Sequence, residues 1–543
     1  MSFHVPLAFS RMRVVPGHHA RSHKTHLFNT PFLSFLCFRI ANALIVRTFF
    51  NADEYYQGPE VAHALAYGYG VLTWEWSAKL RTYAHPLVYY VIYIIGDRVG
   101  ARSGAFTRLA PRFAHAVVAA AHDVGCGRLA RRLFGSTGAK WTTFARVFSW
   151  FAFFCETRSF VNCLEGACVT WALTYWPFDA LGERSGGASR RIKALTFAAM
   201  ACALRPTSAM IWLPLGLRTL GNGKDGVEAK LRFVFYEVVV VAAAAMFLSA
   251  SVDRYFYGEW VCVACNFIKF NVLKGGSAMY GAHAWHWYVT QGYPAVMGTT
   301  TPLALLGFWR HRRTRPEPFL VTFWTIAGYS IAAHKEFRFL LPCLGASLTS
   351  VGSVLATMRP GRQRVVAMFI VVTNVVAAAY TSVWHQAGTI AVMPHIAALA
   401  RDGKITDGGV LFATPCHQTP FYSHVHREIE MRRLECDPRD DGSVDASARF
   451  AENPGAYFTA EFGSSPRAHA TRSCAVAAAL APSRIVIFDG DARRATEWLS
   501  AWNFTLEKSF HHAHFAVDRE IQRRVELYAR IFEDHACAPP QGS

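Results

Sequence analysis

Apolar runs of about 17–25 residues, long enough to cross a bilayer, recur along the chain as far as about Val383. The segments between them are short and often basic. From about His385 onward the long runs stop, and short strand-like and helix-like stretches alternate with polar ones. The pattern therefore predicts a polytopic α-helical membrane protein with a C-terminal globular domain. Its divisions are a basic N-terminus over 1–31, a multi-span domain over 32–384 and a tail domain over 385–543.

Lys and Arg in short loops mark the cytosolic side of a membrane. Arg310-His311-Arg312-Arg313-Thr314-Arg315 is the clearest such cluster, and Arg359 to Arg364 repeats it. The first run, Phe32 to Phe50, lacks a small-residue cleavage site, so it reads as a retained anchor. It delivers Asn51–Thr82 to the far side, and Tyr83–Gly96 returns. Asp97–Arg112 and Gly127–Lys140 are both basic, which predicts that both are cytosolic and that Phe113–Val124 is interfacial or re-entrant. Trp141–Cys155 and Phe160–Trp176 form the next pair. Ala194–Leu217 holds Arg205-Pro206-Thr207 at its centre, which predicts two half-helices meeting at a polar break. Arg232–Ala250 then leads to a far-side loop over Ser251–Tyr293. Pro294–Trp309, Phe319–Ala333, Leu340–Ala356 and Val365–Val383 bring the estimate to about ten spanning or half-spanning helices.

This assignment places Asp53, Arg158, Arg205, His283, Trp285 and His334–Arg338 on the same non-cytosolic side. In the tail, Ser483–Gly490 reads as a strand ending in a turn and Glu520–Phe532 as a helix, which predicts a small α+β domain.

Composition refines this picture. Hydrophobic residues make up 52% of the 543, and the mean hydropathy is +0.16, between the values of a wholly embedded chain and a soluble enzyme. The net charge of +19 resides mostly in the short loops, so it reports topology rather than nucleic-acid binding. The thirteen cysteines show no paired metal spacing. Cys262 and Cys265 lack a second pair, and the membrane cysteines read as small apolar fillers. Cys416, Cys436, Cys474 and Cys537 fall in the tail, where a Cys416–Cys436 bridge is expected if that side is oxidising. Asn503-Phe504-Thr505 is a glycosylation sequon compatible with that side.

Candidate chemistry clusters at two membrane boundaries. Asp53 and Glu54 follow the first apolar run directly, and carboxylates are costly beside hydrocarbon. If the following segment is helical, Asp53, Gln57 and Glu60 share a face; an N-capping Asp opening an interfacial helix is the alternative. Gly58-Pro59 interrupts that helix early, which also allows Glu60 on a turn. Tyr67, Tyr69, Trp74 and Trp76, with Glu75 between the last two, offer ring faces to a sugar or form an interfacial belt. Arg39 and Arg47 lie in or at the end of the first helix and are expected to face the bundle interior. Arg158 and Glu165 are two turns apart on one predicted helix face, with pairing favoured for Glu165 and substrate contact open for Arg158. His283 and His286 alternate with Trp285 and Trp287, without a third ligand for zinc. His334-Lys335-Glu336-Phe337-Arg338-Phe339 is the sharpest signal, because Lys335 and Arg338 suit a lipid phosphate, one as a point charge and one as a fork.

These strings resemble the dolichyl-phosphate-mannose-dependent mannosyltransferases, a multi-span family of the GT-C class (glycosyltransferase family 22). His334–Phe339 matches that family's His-Lys-Glu-X-Arg-Phe element. Asn51–Gln57, Gly70–Trp76, Arg205–Thr207, Phe256–Gly258, Asn266-Phe267, His283–Gly292 and Cys416–His426 add to it. Trp285–Tyr288 and Thr414–His417 point within the family to the members that mannosylate the glycosylphosphatidylinositol (GPI) precursor. Tyr56, Gly58-Pro59 and Ala284 depart from sibling sequences without removing an ionisable group.

The resemblance implies inverting transfer of a third mannose from dolichyl-phosphate-mannose to a mannosylated GPI precursor, in α1,2 linkage, in the endoplasmic reticulum membrane. It implies no metal and no cofactor beyond the lipid-linked donor. Asp53, or else Glu54, is then the base. Arg158, Arg205, His283, His286, His334, Lys335, Glu336 and Arg338 are candidates for the donor phosphate and substrate, and Gln57, Glu60, Trp74, Glu75, Trp76 and Trp285 for the acceptor sugars. A sibling acting on the lipid-linked N-glycan precursor, or a lipid transporter, are the competing readings. A transporter predicts internal repeats, and none is found.

Overall fold

A computed structural model of the chain describes residues 30–181, 187–438, 443–465 and 481–531. Cys474 and Cys537 lie outside them. The helical part is organised around Leu341–Ala356, in which fifteen of sixteen residues are buried. The helices Gly104–Val147, Val161–Tyr175, Thr301–His311 and Glu317–Ile331 pack around it. Small residues make that packing close. A Cβ on Gly307 would meet the Ser350 carbonyl oxygen at 2.6 Å, and one on Gly352 would strike Thr142. Among the described residues, three helices are long and apolar enough to cross a membrane: Val227–Tyr257, Phe337–Ala356 and Pro360–Arg401. Other long segments are broken, like the one interrupted at Arg205, or carry ionisable groups inward.

The break at Arg205 is as expected. Gly187–Leu204 ends there, Arg205 is extended, and a single turn over Pro206–Ser208 leads into Ala209–Leu220.

The path over residues 83–140 differs from expectation. Gly104–Val147 is one long element, helical from Gly104 to a break at Gly135 (φ 75°). Its first arm is about 45 Å long, so the two basic segments sit at its opposite ends. Near one end Arg108 donates to the His424 carbonyl in the tail domain (3.2 Å). Near the other, the Phe134 ring packs on His311 in the basic loop. Asp97–Arg112 is therefore on the tail-domain side, and Phe113–Val124 is part of a span-length helix. Ala84–Arg98, fifteen residues long, does not cross back. Its start touches Gln57 through His85, and its end lies beside Arg102. The basic-loop rule fails here because these arginines bind inward, Arg112 to Glu54 and Arg108 to a carbonyl.

A network of ion pairs holds the charge buried around Asp123. Arg39 and Arg146 both grip Asp123 (2.7 and 2.8 Å), and Arg146 also reaches Glu156 (2.8 Å). His122 bridges Glu156 and Thr170. Arg39 thus faces inward as expected, whereas Arg47 is exposed. Paired charges are the form in which such groups persist in a low-dielectric interior.

The tail domain is a five-stranded mixed sheet in the order β2-β1-β3-β5-β4, with β1 Val410–Ala413, β2 Met431–Arg433, β3 Arg484–Phe488, β4 Phe504–His511 and β5 Arg524–Arg530. β1 runs parallel to both β2 and β3, whereas β5 runs antiparallel to β3 and β4. Alternation divides the sheet faces. Val410, Phe412, Val486, Phe488, Val525 and Leu527 face Gly388–Arg401, while Leu411, Ile485 and Ile487 face the helices over 446–501. Two expectations are corrected. Residues 524–530 form a strand rather than a helix, because Val525 and Leu527 alternate with polar neighbours at period two. Asp489-Gly490 opens a helix, Asp489–Arg494, rather than a turn. Both expected and observed disulfides involve Cys416–Cys436, and Cys262–Cys265 is a second bridge.

Candidate active site

The loop after the first helix is shaped by Asn51, whose Oδ1 accepts from the Asp53 amide (2.9 Å) and opens a single turn, Asp53–Tyr56. Gly58 then breaks the path and Pro59 starts a new helix, Pro59–Tyr67. Asp53, Gln57 and Glu60 therefore do not share one continuous helix face. Their environments diverge.

Asp53 is partly open, its side chain 23% exposed. Arg338 Nη2 lies 2.5 Å from its Oδ2, and Oδ1 has no hydrogen-bond partner among the described residues. Glu54 is fully enclosed between Arg158 (2.8 Å) and Arg112 (3.2 Å). Arg158 is equally enclosed, and its remaining donors go to Thr48 and the Phe154 carbonyl. Neither is presented to a substrate. Arg158 also precedes the helix Val161–Tyr175, so it does not share a helix face with Glu165. Glu60 accepts from the Phe421 amide (2.7 Å) and from the amide and hydroxyl of Ser423 (2.5 Å to Oγ), which anchors the tail domain rather than a sugar. Burial raises its pKa, partly offset by those bonds.

The His334–Phe339 element closes on the same loop. Glu336 sits at its centre, bonded by Arg338 (2.8 Å), His334 (2.7 Å) and Asn51 (3.2 Å). Burial would raise the Glu336 pKa, but Arg338 and His334 hold it well below the usual carboxylate range. Arg338 thus spans Glu336 and Asp53, with Phe160 and Phe339 beside its guanidinium. Lys335 gives two N–H groups to the His283 and Ala332 carbonyls.

An aromatic wall flanks this centre. Trp74 stacks parallel to Tyr280, Tyr280 contacts His334, and His334 contacts Phe339. Glu75 is turned away from solvent by Arg81 and Tyr280 (2.6 and 2.9 Å), and Trp76 is buried with its indole N–H on the Tyr56 carbonyl. His283, Trp285 and His286 are all exposed, and the His283 backbone amide donates to the Ala333 carbonyl.

A cavity of about 920 Å³ runs from this region between the helices Gly187–Leu220 and Val227–Tyr257. Its walls are largely Ala, Val, Leu and Phe; Gln57, Arg81, Arg205, Thr82, His85 and Asp253 are among the polar groups that line it. Arg205 Nε pairs with Glu165 (3.4 Å), and its Nη1 donates to Asn162 (3.3 Å). Gln57 Nε2 is buried without a partner. An unpartnered buried donor in a cavity wall, here Gln57 Nε2, marks a place for an acceptor group of a ligand. Arg81 and Asn51 were not singled out from the sequence. Their signals were an Arg within an aromatic segment and an Asn two residues before a carboxylate.

The helical bundle has the GT-C fold of membrane glycosyltransferases. ArnT from Cupriavidus metallidurans, solved bound to undecaprenyl phosphate, superposes with a TM-score of 0.55 at 14% identity, covering 94% of this chain and 98% of that one. The chain belongs to the Alg9-like mannosyltransferase family, whose pattern matches residues 30–426. It is similar to Mannosyltransferase APTG1 of Arabidopsis thaliana (34% identity, 92% of this chain and 91% of the relative). GPI alpha-1,2-mannosyltransferase 3 of Mus musculus is also 34% identical (91% and 88%), and that of Homo sapiens 32% (91% and 86%).

Proposed function

We propose that this enzyme transfers the third mannose of a GPI precursor, from dolichyl-phosphate-mannose to the 2-hydroxyl of the preceding mannose, on the lumenal side of the endoplasmic reticulum membrane. The relatives' names support the reaction and the acceptor. The observation that carries the mechanism is the partly open carboxylate of Asp53, held through Oδ2 by Arg338 close in sequence to Gln57, which lines the apolar cavity.

Asp53 is the base. It takes the proton of the attacking hydroxyl as that oxygen forms the new bond to the anomeric carbon of the donor. The bond from that carbon to the phosphate oxygen breaks in line, so a β donor gives an α product. Dolichyl phosphate leaves as an anion and needs no proton. Arg205, Gln57 and Arg81 receive its charge at the cavity mouth, and the polyprenyl chain follows the apolar walls. Arg338, Glu336, His334 and Asn51 position Asp53. Trp74 and Tyr280 offer ring faces to the acceptor sugars. The chemistry so described draws on this chain's residues and the lipid-linked donor alone.

The test supplies membranes containing the protein with donor and a two-mannose GPI precursor. An α1,2-linked three-mannose product, lost in Asp53→Asn, is expected. Transfer only to an N-glycan intermediate would overturn the acceptor while keeping the family.

A further inference from the structure

A second cavity, of about 670 Å³, lies between the tail domain and residues 67–108. Arg102, Arg108, Arg401 and Arg427 line it, together with Tyr67 and His426. Asp97 and Glu428 are the two carboxylates in its wall. Asp97 is paired with Arg102 (2.5 Å), and Arg401 with Asp402 (3.4 Å). Arg108 spends one N–H on the His424 carbonyl and has no carboxylate partner, and the Arg427 guanidinium has no partner among the described residues. Four guanidinium groups against two lining carboxylates, with phenol and imidazole groups beside them, suit a phosphate anion.

The position of the cavity narrows the ligand. Helix Ala84–Arg98 exposes Val88, Val91 and Ile95, followed by Val99, spaced three, four and four residues apart on one face. Such a stripe lies in the plane of a membrane surface. The start of this helix reaches the large apolar cavity through Thr82 and His85, and Asp97 at its end lines the arginine cavity. With that stripe against lipid, the arginine cavity falls at headgroup level, about 20 Å along the helix from the donor end of the site. A glycan of a few sugar units bridges that length.

We infer that this cavity binds the phosphodiester headgroup of a membrane lipid, and that in the reaction proposed above it holds the phosphodiester of the acceptor glycolipid while the glycan extends to Asp53. The second half of this inference rests on that reading. The first does not.

Two arms test it with the charge reversal Arg401→Glu/Arg427→Glu, both at exposed positions. In the first, the full chain is purified from vesicles of phosphatidylcholine with phosphatidylinositol, and retained phosphatidylinositol is counted per protein. Retention falling at least fivefold in the variant supports the site, and equal retention with equal thermal stability overturns it. In the second, initial rates are measured against the GPI precursor in phosphatidylcholine alone. A tenfold rise in acceptor KM with kcat kept assigns the headgroup to the acceptor. An unchanged KM beside lost retention overturns that assignment and leaves a bulk phospholipid as occupant. If the unaltered protein transfers no mannose to the precursor, the proposed reaction fails, and the retention arm still decides the site.

Discussion

Arg338 joins Asp53 to Glu336, its Nη2 lying 2.5 Å from one carboxylate and 2.8 Å from the other. One guanidinium thereby fixes the orientation of the open carboxylate by anchoring itself to a closed one. Arg338→Lys keeps the charge but loses the fork. It is expected to lower kcat at least tenfold while leaving the melting temperature within a few degrees, measured by transfer assay and thermal unfolding in detergent. Unchanged kcat would remove Arg338 from the positioning of Asp53.

Asp53 and Glu54 are adjacent and of one chemical type, so substitution separates them by what is lost. Asp53→Asn is expected to reduce transfer by about 10²–10⁴-fold with the fold intact. Glu54→Gln leaves Arg158 and Arg112 buried beside a neutral amide, which costs about 3–5 kcal/mol. Activity in that variant falls with folded protein. A folded, stable Glu54→Gln enzyme with no activity would reverse the two roles.

The contact between the tail domain and the Asp53 loop responds to acid. Burial, with the neighbouring charge of His426, pushes His63 down to about 3, and burial pushes His417 down to about 3. Burial also lowers His424. A base depressed on folding contributes stability above its ordinary value of 6.5, which is lost as pH falls toward the folded value. Glu60 has the opposite sign, because its raised pKa favours the contact in acid and the advantage fades as pH rises through it. Three histidines outweigh one carboxylate, so docking is expected to weaken from about pH 6.5 downward. Hydrogen exchange of Thr414–His426 between pH 7 and 5 reads this directly, and exchange corrected for intrinsic rates that stays flat across that window would contradict it.

Cys416–Cys436 closes a loop of twenty residues around the segment that contacts Glu60 and Tyr56. Loss of such a crosslink costs about 3 kcal/mol. Non-reducing peptide mapping should recover the two cysteines linked, and Cys416→Ser/Cys436→Ser should unfold at lower temperature. Free thiols at both positions would dismiss the bridge.

Much of this architecture was legible before any coordinates. Proline beside arginine announced the broken helix at Arg205, and the His334–Phe339 element together with Asp53 marked the centre. What escaped has physical causes. Arginines that turn inward, such as Arg108 and Arg112, look in sequence like those that mark a cytosolic loop. The strand at 524–530 carries Arg524, Glu526 and Tyr528 around the buried Val525 and Leu527, so its alternation is easily taken for a polar helix. Glu54 and Arg158 have the chemistry of a site, and only their burial against each other shows that they hold the loop rather than meet substrate. Glu60 is similar, its partners lying in the tail far along the chain.

The anchoring of Glu60 by Phe421 and Ser423 also sets an order of assembly. A ribosome inserts both membrane-boundary motifs before it makes the residues that clamp the first of them. A chain stopped just after its last span would carry Asp53 and Arg338 in full, yet lack the surface on which their loop is set. Competence in this protein thus arrives late in synthesis, and a premature stop between the last span and Ser423 is expected to act as a null allele.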